Sequence, residues 1–233
     1  MNDASADSHS SGPSVHLTQF SVVLVVNQVD PSIFNPDFLR LNQIVGPDTR
    51  ASASPVSTPQ FSQAVFDDGV TVRVDPGTLT FEQVGNPLEK AQVQPPAMAM
   101  QFVTLFPNTV YKAVGINAIS IPVLDDVVDE RAAIRNALVH SGQWLSFGGE
   151  TPTLGFWAAY DLGGKKLFFE IRENDASDQS TVFAFRLNVH RDLPETKQVG
   201  MNQQLLSVLA QWKSDLTDFE ALVTQYISKS AVR

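Results

Sequence analysis

Between Thr153 and His190 the chain carries three segments, TLGFWAAYDL, KKLFFEIREN and STVFAFRLNVH, with period-two alternation in the second and third. In the second, Leu167, Phe169 and Ile171 alternate with Phe168, Glu170 and Arg172. In the third, Phe183, Phe185, Leu187 and Val189 alternate with Ala184, Arg186, Asn188 and His190. A period of two puts alternate side chains on opposite faces of a strand, so these segments predict an antiparallel ribbon with one apolar and one mixed face. The mixed face is either solvated or the floor of a binding cleft.

The chain has 233 residues, enough for a substantial core. Fifteen Phe against three Tyr and three Trp imply a core filled by plain aromatic rings. With 43% hydrophobic residues, wholesale disorder is excluded. The formal charge of −9 and the absence of any Lys/Arg cluster argue against nucleic acid as a partner. The densest basic spot, Lys165-Lys166, falls at an expected hairpin turn and reads as solvated. No cysteine is present, which removes disulfides, thiol nucleophiles and thiolate metal sites and fits a reducing cytoplasm. The polar opening MNDASADSHSSGPS is no secretory signal, and the longest apolar run, VVLVV, is far short of the roughly 20 residues that span a bilayer. The expectation is a soluble, acidic, cytoplasmic protein.

Residues 1–14 read as a disordered tail, and 15–233 as a single compact domain with a subdivision near 124–140. A strand over 16–27 is apolar on both faces, as an interior strand is. Asn35-Pro36 opens a short helix, and 48–59 reads as a mobile loop. Asp67-Asp68-Gly69 and Asp75-Pro76-Gly77 separate three short strands. A helix over 96–106 and a strand over 109–123 follow. The acidic run Asp125, Asp126, Asp129, Glu130 suits a helix N-terminus. Met201, Leu205, Leu209, Trp212, Leu216, Phe219 and Val223 recur at helical spacing, predicting one long helix over 199–228, on the order of 40 Å in length. The fold class is therefore α+β, with predominantly antiparallel sheet packed by helices and a long C-terminal helix. The element order also suggests two similar α+β halves sharing a sheet.

Catalytic signatures are sparse. His190-Arg191-Asp192-Leu193 matches the start of a kinase catalytic loop, but Lys197 stands where that loop needs Asn, and no glycine-rich ATP loop accompanies it. No GxSxG occurs. His140 adjoins Ser141, but neighbours at a helix end do not meet as a catalytic pair, and the glycines of 141–153 precede no Lys-Ser or Lys-Thr. The four histidines lack metal-ligand spacing. No metal or cofactor is expected, and the sequence identifies no catalytic residue. The leading expectation is a protein–protein interaction or assembly module, acting through its sheet edge or long helix on another protein or a second copy, with neither nucleic acid nor membrane as partner. The alternative is a binder of, or enzyme acting on, an anionic small molecule at the polar face of the 153–190 sheet, with Arg172, Arg186, Asn188 and His190 as ligand-binding candidates.

Overall fold

A computed structural model describes residues 14–85, 87–123, 134–136, 153–173, 183–194 and 201–230. Residues 1–13 of the expected tail, the acidic run at 125–130, His140 and the glycine-rich stretch at 141–152 fall outside these, while Ser14 begins the first strand.

Strand β1 (Ser14–Val26) takes the central place its two apolar faces predict. On one side it pairs with β5 (Thr78–Val84), and on the other with β6 (Tyr111–Val123), antiparallel in both cases. The turn signals define β3 (Ser62–Val65), β4 (Val70–Asp75) and β5 as a meander. The second meander is the ribbon read from the sequence: β7 (Gly155–Asp161), β8 (Lys166–Glu173) and β9 (Phe183–Asp192). With β2 (Val56–Ser57) they form one nine-stranded sheet of order β2-β3-β4-β5-β1-β6-β9-β8-β7. Outward from the β1–β6 pair the order mirrors itself: β5, β4, β3 on one side and β9, β8, β7 on the other. Each half is a strand, a connection, a three-strand meander that returns to the first strand, and then helix. The two halves thus share one sheet and a mirrored strand order. The stretch expected to be all loop, 48–59, contains β2, which is pinned at the edge by Ser57 Oγ donating to Ser32 O at 2.8 Å.

Two turns show how sequence sets the chain's path. Helix α1 (Pro36–Leu41) starts on Asn35, whose Oδ1 accepts from Phe38 N at 2.9 Å. It ends in a Schellman motif, with Ile44 N donating to Leu39 O at 2.9 Å and Gln43 N to Arg40 O at 3.0 Å. Gln43 holds the left-handed position, φ 56°, where glycine is usual and where an L side chain costs roughly 1–2 kcal/mol. At the β3–β4 hairpin Gly69 has φ 80°, and a Cβ there would lie 2.2 Å from Val84 O.

Every described helix lies on one face of the sheet. Helix α2 (Pro95–Leu105) buries Phe102, which packs with Phe34, Phe106 and Tyr111 against β1 and β5. The C-terminal helical run packs as its apolar stripe predicts, but it breaks. Helix α3 (Met201–Ala210) rests on α2, and α4 (Trp212–Ser230) crosses the second half of the sheet. At the break Gln211 N donates to Val208 O, an i−3 bond of 3.1 Å that tightens the turn. Beyond it Trp212 meets Phe20 edge-on at 5.5 Å, and Phe219 and Tyr226 pack on Phe169.

Replacing Gly69 by Ala combines backbone strain with collision against a main-chain carbonyl, so the variant loses on the order of 1–3 kcal/mol in denaturant unfolding. Gly77→Ala, where an added Cβ meets nothing within 4 Å, stays within about 0.5 kcal/mol.

Candidate functional site

The pairing registers fix what the other face of the sheet presents. Three rows of side chains run across β7, β8, β9 and β6: Trp157, Glu170, Arg186 and Ile119; then Ala159, Phe168, Asn188 and Asn117; then Asp161, Lys166, His190 and Gly115. No described helix packs on this face. All four sequence-derived candidates lie on it, but they do not converge. Arg172 sits opposite Ala184 and His190 opposite Lys166, six residues apart along β8 and β9, or about 20 Å.

Each candidate has its own environment. Arg186 lies 3.9 Å from Glu170, its directly opposed residue, and both are more than 40% exposed. Asn188 Nδ2 donates to Asn117 Oδ1, and Asn117 Nδ2 donates to Ser21 Oγ at 3.1 Å, an amide chain linking three central strands. His190 Nε2 lies 2.9 Å from Asp192 Oδ1, and Lys166 Nζ is 3.9 Å from Asp192 Oδ2. The hydrogen bond with His190, then its charge and more weakly that of Lys166, hold the Asp192 carboxyl below the usual carboxylate range. Arg172 is exposed and makes no ion pair among the described residues. His190 has Lys166 and Gly115 as its cross-strand neighbours, so its carboxylate partner serves no hydroxyl nucleophile there.

Two residues not singled out from the sequence stand out on this face. Trp157 is 73% exposed and Phe168 42% exposed. With Glu170, Arg186, Asn188 and Asn117 they line a shallow, open concavity of about 490 Å³. Their exposure was legible in the alternation: Phe168 is out of phase with Leu167 and Phe169, and Trp157 is out of phase with the half-buried Phe156.

The opposite, helix-covered face holds a charge cluster where α4 begins. Asp215 Oδ1 accepts from Arg191 Nη2 at 2.7 Å and from Lys165 Nζ at 3.1 Å, and Lys165 also reaches Asp218 at 3.1 Å. Lys165 is therefore not the solvated turn residue that its sequence position suggested: the hairpin folds its ammonium down onto α4. Burial there works against its charge, but the hydrogen bonds and fields of Asp215 and Asp218 outweigh that and raise its pKa. At the other end of β8, Glu173 is fully buried, accepting from Arg135 Nη1 at 2.8 Å and from Leu154 N at 3.0 Å. Both clusters tie helical chain to the sheet from within.

Asp215→Ala leaves Arg191 buried without its counter-charge and costs about 3–5 kcal/mol in equilibrium unfolding. An Arg191→Met, Asp215→Leu double variant recovers most of that loss. On the open face the depressed Asp192 pKa means that its pairing stabilises the fold above the unfolded carboxyl pKa and is lost as pH falls through the folded value. NMR titration of wild type therefore places the Asp192 midpoint below the usual carboxylate range, and in His190→Ala the midpoint moves back up into it.

Among the described residues no group of three His, Asp or Glu side chains is arranged to hold a metal ion, and no helix is long and apolar enough to cross a membrane. No protein-family model matches the chain, and no curated protein matches it in sequence.

Proposed function

We propose that this chain is a protein-binding module whose partner docks on the open sheet face around Trp157 and Phe168. The observation that carries this reading is the exposure of a tryptophan beside a phenylalanine on the open face, in a concavity also lined by Glu170, Arg186, Asn188 and Asn117. Exposed indoles flanked by polar groups are the commonest anchors of protein interfaces. Trp157 also lies on β7, the edge strand, which pairs on its inner side with β8 and has no described strand outside it. A partner segment in extended conformation adds there as a tenth strand, its main chain hydrogen bonding to β7 and its side chains resting on Trp157 and Phe168.

An anionic small molecule has less support. Arg186 and His190 each already face a carboxylate, Glu170 and Asp192. The four candidates spread over about 20 Å, and the concavity is open rather than enclosing.

The test places a photo-cross-linking residue at position 157, with a second at Arg73, exposed on the same face of the other half, as control. In the native cell, position 157 should capture a defined protein that position 73 does not. With that protein purified, Trp157→Ala should weaken binding by ten- to a hundredfold while leaving unfolding unchanged to within about 0.5 kcal/mol. If capture is the same at both positions, or binding is unaffected by Trp157→Ala, the reading is wrong.

A further inference from the structure

The hydrogen-bonding phase of the β7 edge is fixed by its two ends. Glu173 N donates to Leu154 O at 3.0 Å, and Leu162 N donates to Lys165 O at 2.9 Å, both in the register of β7 with β8. Bonded positions alternate along an antiparallel pair, so the even residues of β7 turn their main-chain groups inward to β8. The N–H and C=O groups of Gly155, Trp157, Ala159 and Asp161 therefore point outward. At the opposite edge of the sheet β2 has only two residues, whereas β7 offers seven, without proline or lysine. Edges meant to stay unpaired are shortened or guarded by such residues.

We infer that the segment that pairs with this edge is β7 of a second copy, making a two-fold dimer with one continuous sheet. The inference rests on the docking reading above and names its partner. Each chain already has its own core, so the association joins two folded chains.

The strand is complementary to itself. Centring the two-fold axis on Ala158 uses all of β7 and sets outward-facing positions against each other: Gly155 opposite the second copy's Asp161, and Trp157 opposite its Ala159. Next to Ala159, on β8, stands Phe168. Each exposed indole thus lies over an alanine and reaches the other copy's exposed phenyl ring, large against small. At the ends, Asp161 meets Gly155, and beyond that glycine stands Arg172. No side chain intervenes, and two strand spacings, about 10 Å, lie within the joint reach of an arginine and a carboxylate. Arg172, exposed and without an ion pair among the described residues, gains one. On the helix side Phe156 faces the second copy's Tyr160, itself 37% exposed, and only the Ala158 methyls meet at the axis. One surface supplies both the indole and the alanine, both the acid and the arginine, as an isologous contact requires.

The experiment is sedimentation equilibrium of the purified full chain, which should show a monomer at low concentration and twice its mass at high concentration. Arg172→Asp and Asp161→Arg should each raise the dissociation constant about tenfold, and the double variant should return it to within about threefold of wild type. Within one chain these residues lie six positions apart along the ribbon, about 20 Å, so such coupling arises only across the axis. Ala159→Pro removes an outward N–H and no bond to β8, and should give a folded monomer. Because the chain has no cysteine, Ala158→Cys with oxidised glutathione should yield a disulfide-linked dimer, and Arg73→Cys should not. The inference is overturned if wild type is a monomer at every concentration, or if dimers persist in Ala159→Pro while the two charge reversals act independently. A monomer whose position 157 still captures a different protein overturns this inference alone and leaves the docking reading standing.

Discussion

The pairing of β1 with β6 is the contact on which everything else depends. Each strand is thirteen residues long, and each is the first strand of its half. Their antiparallel register sets Phe20 opposite Ala118, Val22 opposite Ile116 and Leu24 opposite Val114, all on the side that the helices cover. A slip of one residue would turn that apolar row toward the open face and bring Ser21 and Asn117 under the helices. Two meanders, each too small to bury a large core alone, become one continuous sheet because the pairing leaves neither central strand with an edge. Trp212 closes the seam by packing on Phe20 at the middle of the molecule.

The two faces of the sheet then diverge in chemistry. The helix-covered face is dominated by phenylalanine, and the charges it admits are matched: Asp215 with Arg191 and Lys165, and Glu173 with Arg135. Such pairs contribute more to specificity of docking than to net stability, since desolvation offsets much of the attraction. The Asp215 pairs hold α4 to the sheet at its first turn, where the helix dipole also favours an acid. The open face carries its charges as exposed cross-strand pairs of small energetic weight, leaving Trp157 and Phe168 as its most conspicuous apolar groups.

Much of this architecture was legible from periodicity, because burial of one strand face or one helix stripe is a local pattern. The ribbon of 153–190, the turns at Gly69 and Gly77, the Asn35 cap and the apolar stripe of the last helices all follow from spacing. Even the buried charges left a trace. Arg191 is in phase with Leu187 and Val189, and Asp215 stands three residues after Trp212 and four before Phe219, inside the stripe. The phase identifies them as inward-facing but cannot name their partners. Lys165 was misread because a hairpin turn directs its side chain by backbone geometry that the residue type does not encode.

By itself, then, the sequence determined the elements, their faces and the order that makes the halves alike, since these depend on residues a few positions apart. Tertiary structure alone decided what those faces bring together. Arg172 and His190 share a polar face yet end about 20 Å apart, because register along paired strands sets distance. Contacts between residues far apart in the chain arise from how sheets pair and helices settle, and no local pattern carries that information.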